Sequence, residues 1–350
     1  MKSVALVGGF DATYPRTDVI ISGLKFQGYD LKYLHVPWSS PFIRTRRLKK
    51  LLAKTREESD VMFVPSFCHH EVPVVRRWTS KPIIFDPLIS RYLTKVHDLK
   101  KVSPLSVHAW INRRIDKLSM RLADVVLADT ESHKKYFSQE FGIDESKIKV
   151  VPVGYNSEDF YPLEKQTGSE DVLTVGFYGS FLPLHGIEHI IEAASILKDQ
   201  KSIRFELVGS GYTFKETQAR AHYLGLNNVT FTGKKNYAEL NACINSWDIC
   251  LGVFGSTLKA SLVIPNKVYH YAGCKKPIIS MDSPAIRELF TPGENIVLSE
   301  SDPKQIAECI LDLFDDKGKR ERIAAGAYAV AQSCTHSSIG LRMREIIEAC

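Results

Sequence analysis

Twelve short apolar runs, alternating with helix-length or turn-rich segments, set the strongest limit on what this chain can fold into. In the first half they read SVALVGG, LKYLHV, VMFVPS, PIIFD, DVVLAD and IKVVPVG; in the second, VLTVGFYGS, IRFELVGSG, NVTFTG, DICLGVFG, PIISMD and NIVLS. Strands that alternate with helices call for right-handed βαβ units and parallel sheets. At 350 residues the chain exceeds the size at which one core keeps growing. The runs fall into two sets of six, separated by the polar stretch YNSEDFYPLEKQTGSEDV at 155–172, which has the composition of a linker. The expectation is two doubly wound α/β domains, residues 1–165 and 166–335. A closing segment, 336–350, has helical spacing at Ile339, Met343, Ile346 and Ile347, and is expected to pack back on the first domain.

Local helix signals agree. Ile187, Ile190, Ile191, Ala194 and Leu197 trace one face after Gly186, and Asp302-Pro303 supplies an N-cap and a first-turn proline before Ile306, Ile310, Leu313 and Phe314. Seven cysteines, with no CxxC pair and no matching histidine spacing, indicate neither a disulfide framework nor a zinc site, so a reducing cytoplasm is the expected compartment. Adjacent His69 and His70 lack a third ligand at suitable spacing, and no metal is expected. Asp11 cuts the first apolar run short of signal-peptide length, and no window approaches the ~18 apolar residues of a membrane span.

The stretch VIPNKVYHYAGCKKPII, 263–279, raises a chemical question. A helix N-terminus carries about half a positive charge and free backbone amides, so Lys267 in a first turn opposes the dipole unless an anion is bound there. Pro265 and Asn266 lead into that turn. Three glycine-bearing loops follow strand-like runs: Gly179 and Ser180 with His185 and Gly186, Gly209 with Gly211, and Gly9. Such loops at the carboxyl ends of parallel strands offer amides to a phosphate. They match neither GxGxxG nor a Walker lysine loop, and each alone is also an ordinary turn.

Taken together in order and spacing, FYGSFLPLHGIEHIIEAASIL, FELVGSGYTF, NVTFTGKKNYAELNACINSWDICLGVFG and KASLVIPNKVYHYAGCKKPIISMDSPAIRELFTPGENIVL resemble the donor-binding domain of glycosyltransferase family four, the group 1 retaining glycosyltransferases. ADVVLADTESHKKYFSQEFGIDESKIKVVPVGYNSEDFYP resembles that family's bridge between domains, so the likeness covers nearly the whole chain. It implies a GT-B fold, with two Rossmann-like domains facing across a cleft. It also implies a nucleotide-sugar donor on the C-terminal domain and a glycan or lipid-linked acceptor on the N-terminal one. Lys267, with Lys259, would stabilise the leaving diphosphate without a metal or other cofactor.

The sequence departs from the family pattern at four places. Ser180 and His185 stand where many members carry arginine and lysine, and His270 and Leu262 stand where they carry glutamates. His270 keeps a hydrogen-bonding group for a donor ribose. On the acceptor side, Asp86 ends a strand where some relatives place a histidine or aspartate to orient or deprotonate an acceptor hydroxyl. Arg16, after the first strand, is a candidate for an acceptor phosphate.

Charge is uneven: residues 1–165 hold 27 Lys+Arg against 19 Asp+Glu, and the remainder 19 against 21. FIRTRRLKKLLAKTR, 42–56, concentrates seven cations, Arg44, Arg46, Arg47, Lys49, Lys50, Lys54 and Arg56, among Ile43, Leu48, Leu51 and Leu52. That pattern suits either a solvated helix face or an anionic membrane surface. Nucleic acid is disfavoured, because Phe42 is the patch's sole stacking aromatic. The reading that follows is a retaining transferase at the cytoplasmic face of a membrane. The alternative is a catalytically silent glycosyltransferase-like binding subunit; a nucleotide-sugar epimerase fits the bridge less well.

Overall fold

The computed structural model of the protein describes residues 2–55, 59–164 and 172–350. It divides into two compact units, Met1–Asn156 with Cys334–Cys350, and Ser157–Ser333. The first unit carries strands β1 (Ser3–Gly8), β2 (Asp30–His35), β3 (Val61–Val64), β4 (Ile83–Phe85), β5 (Val125–Ala128) and β6 (Ile148–Val150) in the order β2-β1-β3-β4-β5-β6. The second carries β7 (Leu173–Gly179), β8 (Ile203–Gly209), β9 (Val229–Gly233), β10 (Ile249–Leu251), β11 (Ile278–Met281) and β12 (Val297–Ser299) in the order β12-β11-β10-β7-β8-β9. All pairings are parallel. Each of the twelve apolar runs contains one of these strands.

Helices covering both faces explain why the runs are apolar throughout rather than alternating. Every residue of β3, β4, β10 and β11 is buried. The Pro303–Asp315 helix starts at its expected cap, Asp302 accepting from the Gln305 amide, and buries Ile306, Ile310 and Leu313. The closing His336–Glu348 helix belongs to the first unit. There it lies on the Pro15–Phe26 helix so tightly that a Cβ on Gly340 would fall 2.2 Å from the Gly23 carbonyl oxygen, leaving room only for glycine at that crossing. No helix among the described residues is long and apolar enough to cross a membrane.

The topology fixes where ligands belong. Chain order reverses between β1 and β3 in one sheet and between β7 and β10 in the other. Open parallel sheets hold ligands outside the carboxyl ends of the strands at such reversals.

Candidate active site

In the second unit, the reversal between β7 and β10 gathers the residues singled out around Lys267. β7 ends at Gly179; exposed Ser180 and buried Phe181 lead to a single 3-10 turn, Pro183–His185, and Gly186 adopts a left-handed conformation before the Ile187–Ile196 helix. The chain after β10 braces this turn: Phe254 N–H donates to the His185 carbonyl at 3.0 Å and Gly255 N–H to that of Leu184 at 3.2 Å. That closeness demands glycine, since a Cβ on Gly186 would lie 2.3 Å from the Phe254 carbonyl carbon. Gly209 and Gly211 serve the neighbouring loop similarly, their Cα atoms facing the carbonyl oxygens of Gly179 and Ser180. Their glycines are explained by backbone packing.

Lys267 lies in the first turn of the Asn266–Gly273 helix, capped by extended Pro265. It is 3% exposed, and its Nζ has no hydrogen-bond partner. The amine lies 3.9 Å from the centre of the Phe177 ring and 2.9 Å from where a Gly179 Cβ would be, so the absent side chain of Gly179 opens the space above it. Burial drives its pKa well below that of an ordinary lysine. Removing an amine from water without a partner costs several kcal/mol, and an anion in the same space would restore its charge and offset that cost.

His185 is buried next to it. Burial first, then the charges of Lys267 and Lys259, depress its pKa, keeping the ring neutral. The Leu182 amide donates to Nδ1 at 3.3 Å, which leaves the ring hydrogen on Nε2 as a donor. Lys259, 5% exposed, sits on the short Leu258–Leu262 helix that Thr257 caps. The reversal therefore assembles two lysine amines, an imidazole donor and a helix N-terminus, a set suited to an oligophosphate.

His270 is placed differently from the expected direct contact with a ribose. It is 1% exposed, stacks on Phe160 with ring centres 3.8 Å apart, and shares a 2.6 Å hydrogen bond between Nδ1 and the Tyr178 hydroxyl. Burial lowers its pKa to about 3. Phe160 and Tyr178, which form this cage, carry no sequence signal for that role because Phe160 precedes β7 in a coil.

The first unit corrects three expectations. Arg16 is not an exposed arm: fully buried, its Nε donates to Asp86 at 3.0 Å and its Nη1 to the carbonyls of Val151 and Pro152 at 2.6 and 2.8 Å. Asp86 also accepts from the Ser66 hydroxyl and the Leu88 amide, so both residues knit strand ends together. Arg44 is likewise removed from the basic surface, 2.8 Å from Glu71 with its guanidinium on the Trp38 ring and Nη1 donating to the Gly9 carbonyl. A Cβ on Gly9 would strike Arg44, so Gly9 makes room for that side chain. Arg46, Arg47, Lys49, Lys50 and Lys54 are exposed, whereas Arg56 lies outside the described residues.

Comparison with known proteins gives a concordant result. Residues 160–330 match the family of glycosyl transferases group 1. A chitobiosyldiphosphodolichol beta-mannosyltransferase from Candida albicans is 25% identical over 241 residues, covering 62% of this chain and 52% of that one. A GDP-mannose-dependent monoacylated alpha-(1-6)-phosphatidylinositol monomannoside mannosyltransferase from Corynebacterium glutamicum is 23% identical over 240 residues, 65% of this chain and 62% of that one. This chain thus spans little more than half to three-fifths of their lengths. Among solved structures, Anabaena HepE in complex with UDP and glucose superposes with a TM-score of 0.75 at 16% identity over the whole of both chains. Sucrose-phosphate synthase from Thermosynechococcus elongatus gives 0.80 at 13% identity, covering 100% of this chain and 99% of that one. The chain has the GT-B fold, and its residues 160–330 are similar to the glycosyl transferases group 1.

Proposed function

We propose that the protein is a glycosyltransferase that moves a sugar from a nucleoside-diphosphate donor, held by the second unit, to a glycan or lipid-linked acceptor on the first. The observation that carries this reading is the buried, unpartnered amine of Lys267 beneath Gly179, flanked by Lys259 and His185. Negative charge grows on the diphosphate as the anomeric bond breaks, while the sugar becomes oxocarbenium-like. Fixed cations and a helix N-terminus stabilise that charge without reorganising, which supports metal-independent transfer. Retention is the stereochemistry that the resemblance to the group 1 retaining glycosyltransferases implies. Of the two mannosyltransferase relatives, whose names read beta in one case and alpha in the other, the one named GDP-mannose-dependent makes GDP-mannose a donor to include.

A stabilisation assay with UDP, GDP, ADP and dTDP and their sugars, with EDTA or magnesium, tests the donor site, because a ligand that binds only the folded chain raises its stability. One nucleotide class should stabilise regardless of metal, and the transferred sugar should keep the donor's anomeric configuration by NMR. No shift with any nucleotide would instead support a silent binding subunit, and an inverted product would refute retention.

The exposed cations of the Pro41–Leu52 helix and Lys54, beside exposed Phe42, Ile43 and Trp38, support peripheral contact with an anionic membrane at its cytoplasmic face. Near such a surface each cation contributes about 1 kcal/mol. Replacing Arg46, Arg47, Lys49, Lys50 and Lys54 by Gln should abolish co-sedimentation with phosphatidylglycerol vesicles at 0.1 M salt; retained binding would refute the contact.

A further inference from the structure

At the other reversal point, in the first unit, lies a second group of cations that the fold compensates only in part. The turn after β3 carries Cys68, His69, His70 and Glu71, and the loop after β4 carries Arg91 and, in the Leu93–Asp98 π-helix, Lys95. His69 and His70 lie in this turn, in which Phe67 takes a φ of 68°. Two carboxylates are buried within the group, and both are already engaged. Glu71 faces Arg44, and Asp116 accepts from the Ser90 hydroxyl at 2.7 Å and from the amides of Arg91 and Tyr92 at 3.2 and 2.8 Å.

The remaining side chains have no such partners. The guanidinium of Arg91 forms no ion pair or hydrogen bond among the described residues, and its Nε is buried. Buried Nε2 of His70 likewise has no hydrogen-bond partner, and the half-buried Lys95 lies within reach of Asp116's charge. Burial, and then the charges of Arg91, Arg44 and Lys95, lower the His70 pKa to about 4. Burial depresses Arg91 and Lys95 in turn; Asp116 draws both the other way, while Arg44 repels Arg91 and Arg91 repels Lys95. Beside the turn after β3 opens a cavity of about 510 Å³ lined by Phe10, Asp11, Tyr14, His35, Trp38 and Phe67. It shares walls with the cluster, since Phe67 belongs to the same turn as His70 and Trp38 carries the Arg44 guanidinium on its face.

We infer that Arg91, Lys95 and His70 form a phosphoryl-binding site at the β1/β3 reversal, holding the phosphate of an acceptor whose remaining portion occupies the adjoining aromatic cavity. Arg44, Arg91 and Lys95 against Glu71 and Asp116 leave one positive charge in excess, which a phosphoryl anion answers, and an arginine with a free Nε presents the fork that its oxygens take. Aromatic walls suit the flat faces of a sugar ring beside it. The inference rests on the transferase reading for the word acceptor, but the site itself does not depend on nucleotide binding by the second unit.

Calorimetric titration with inorganic pyrophosphate tests it in the Lys267→Met background, which removes the central cation of the second unit. One site per chain is expected, weakened about tenfold or more by Arg91→Gln or by Lys95→Gln, as for loss of a charge-assisted contact, and unchanged by Lys149→Gln on the exposed surface. Loss of binding in the Lys267→Met chain, or affinity unaltered by Arg91→Gln and Lys95→Gln in variants that melt like their parent, would overturn the site. Because Lys95 is only partly buried, its variant keeps the test open should Arg91→Gln fail to fold. Dihexanoyl phosphatidic acid in place of pyrophosphate separates the sources. Tighter binding of the lipid supports a lipid-phosphate acceptor, and equal binding supports a site that reads the phosphoryl group alone. Nucleotide stabilisation of the unmodified protein is read separately, so failure of the donor reading and failure of this site give different results.

Discussion

Lys267→Met should lower turnover at least a hundredfold and, in the same protein, raise the melting temperature. The two effects have one cause. In the free protein the amine is buried with no hydrogen-bond partner, and its pKa is pushed down by loss of water. Replacing a stranded polar group by an apolar chain of similar length removes a desolvation cost of about 1–3 kcal/mol, against which stands the loss of its contact with the Phe177 ring, worth about 0.5–2 kcal/mol. The balance favours the variant by about 1 kcal/mol. In the transition state the same amine would face a diphosphate gaining charge, where removal of one preorganised electrostatic group costs about 10²–10³ in rate. Stability bought at the expense of activity is the mark of a functional strain site. Turnover within a few fold of the parent would refute the diphosphate role, and a lower melting temperature with lost turnover would make Lys267 a structural residue.

Much of this was legible in the sequence, but unevenly. The twelve strands could be read because each is a short apolar run bounded by polar turns, and a parallel sheet buried on both faces writes its pattern locally. Lys267 could be read because its conflict with the helix dipole is also local, between one residue and its own helix. Arg16 and Arg44 could not. In sequence both look like surface cations, yet their partners Asp86 and Glu71 stand 70 and 27 residues away, and the pairing exists only once β1, β3 and β4 are neighbours. The same holds for His270, whose character is set by Phe160 and Tyr178 rather than by its own helix. It holds also for His70, Arg91 and Lys95, which come from two loops and acquire meaning only as a group. Basic residues in a chain of this kind therefore divide by partner distance. Those that decorate one helix face announce themselves, while those that fasten strand ends or surround a cavity emerge from the topology.

Arg16→Met supplies the second large effect, in the opposite direction from the first. Arg16 occupies the first turn of the helix after β1, and its guanidinium joins Asp86, after β4, to the carbonyls of Val151 and Pro152, after β6. Truncation would leave Asp86 charged in a site 1% exposed to solvent, with the Ser66 hydroxyl and the Leu88 amide as its remaining donors, and would strand two carbonyls. Removing one partner of a buried ion pair costs about 3–5 kcal/mol. At about 2–4 °C per kcal/mol for a unit of this size, the melting temperature should fall by about 10 °C. A double variant, Arg16→Met with Asp86→Leu, should regain a large part of that loss, because it removes the stranded charge as well as its partner. If Arg16→Met melted within 2 °C of the parent while transfer collapsed, Arg16 would be an acceptor ligand after all, and its bonds to Asp86 and the 151–152 backbone would have to open when acceptor binds.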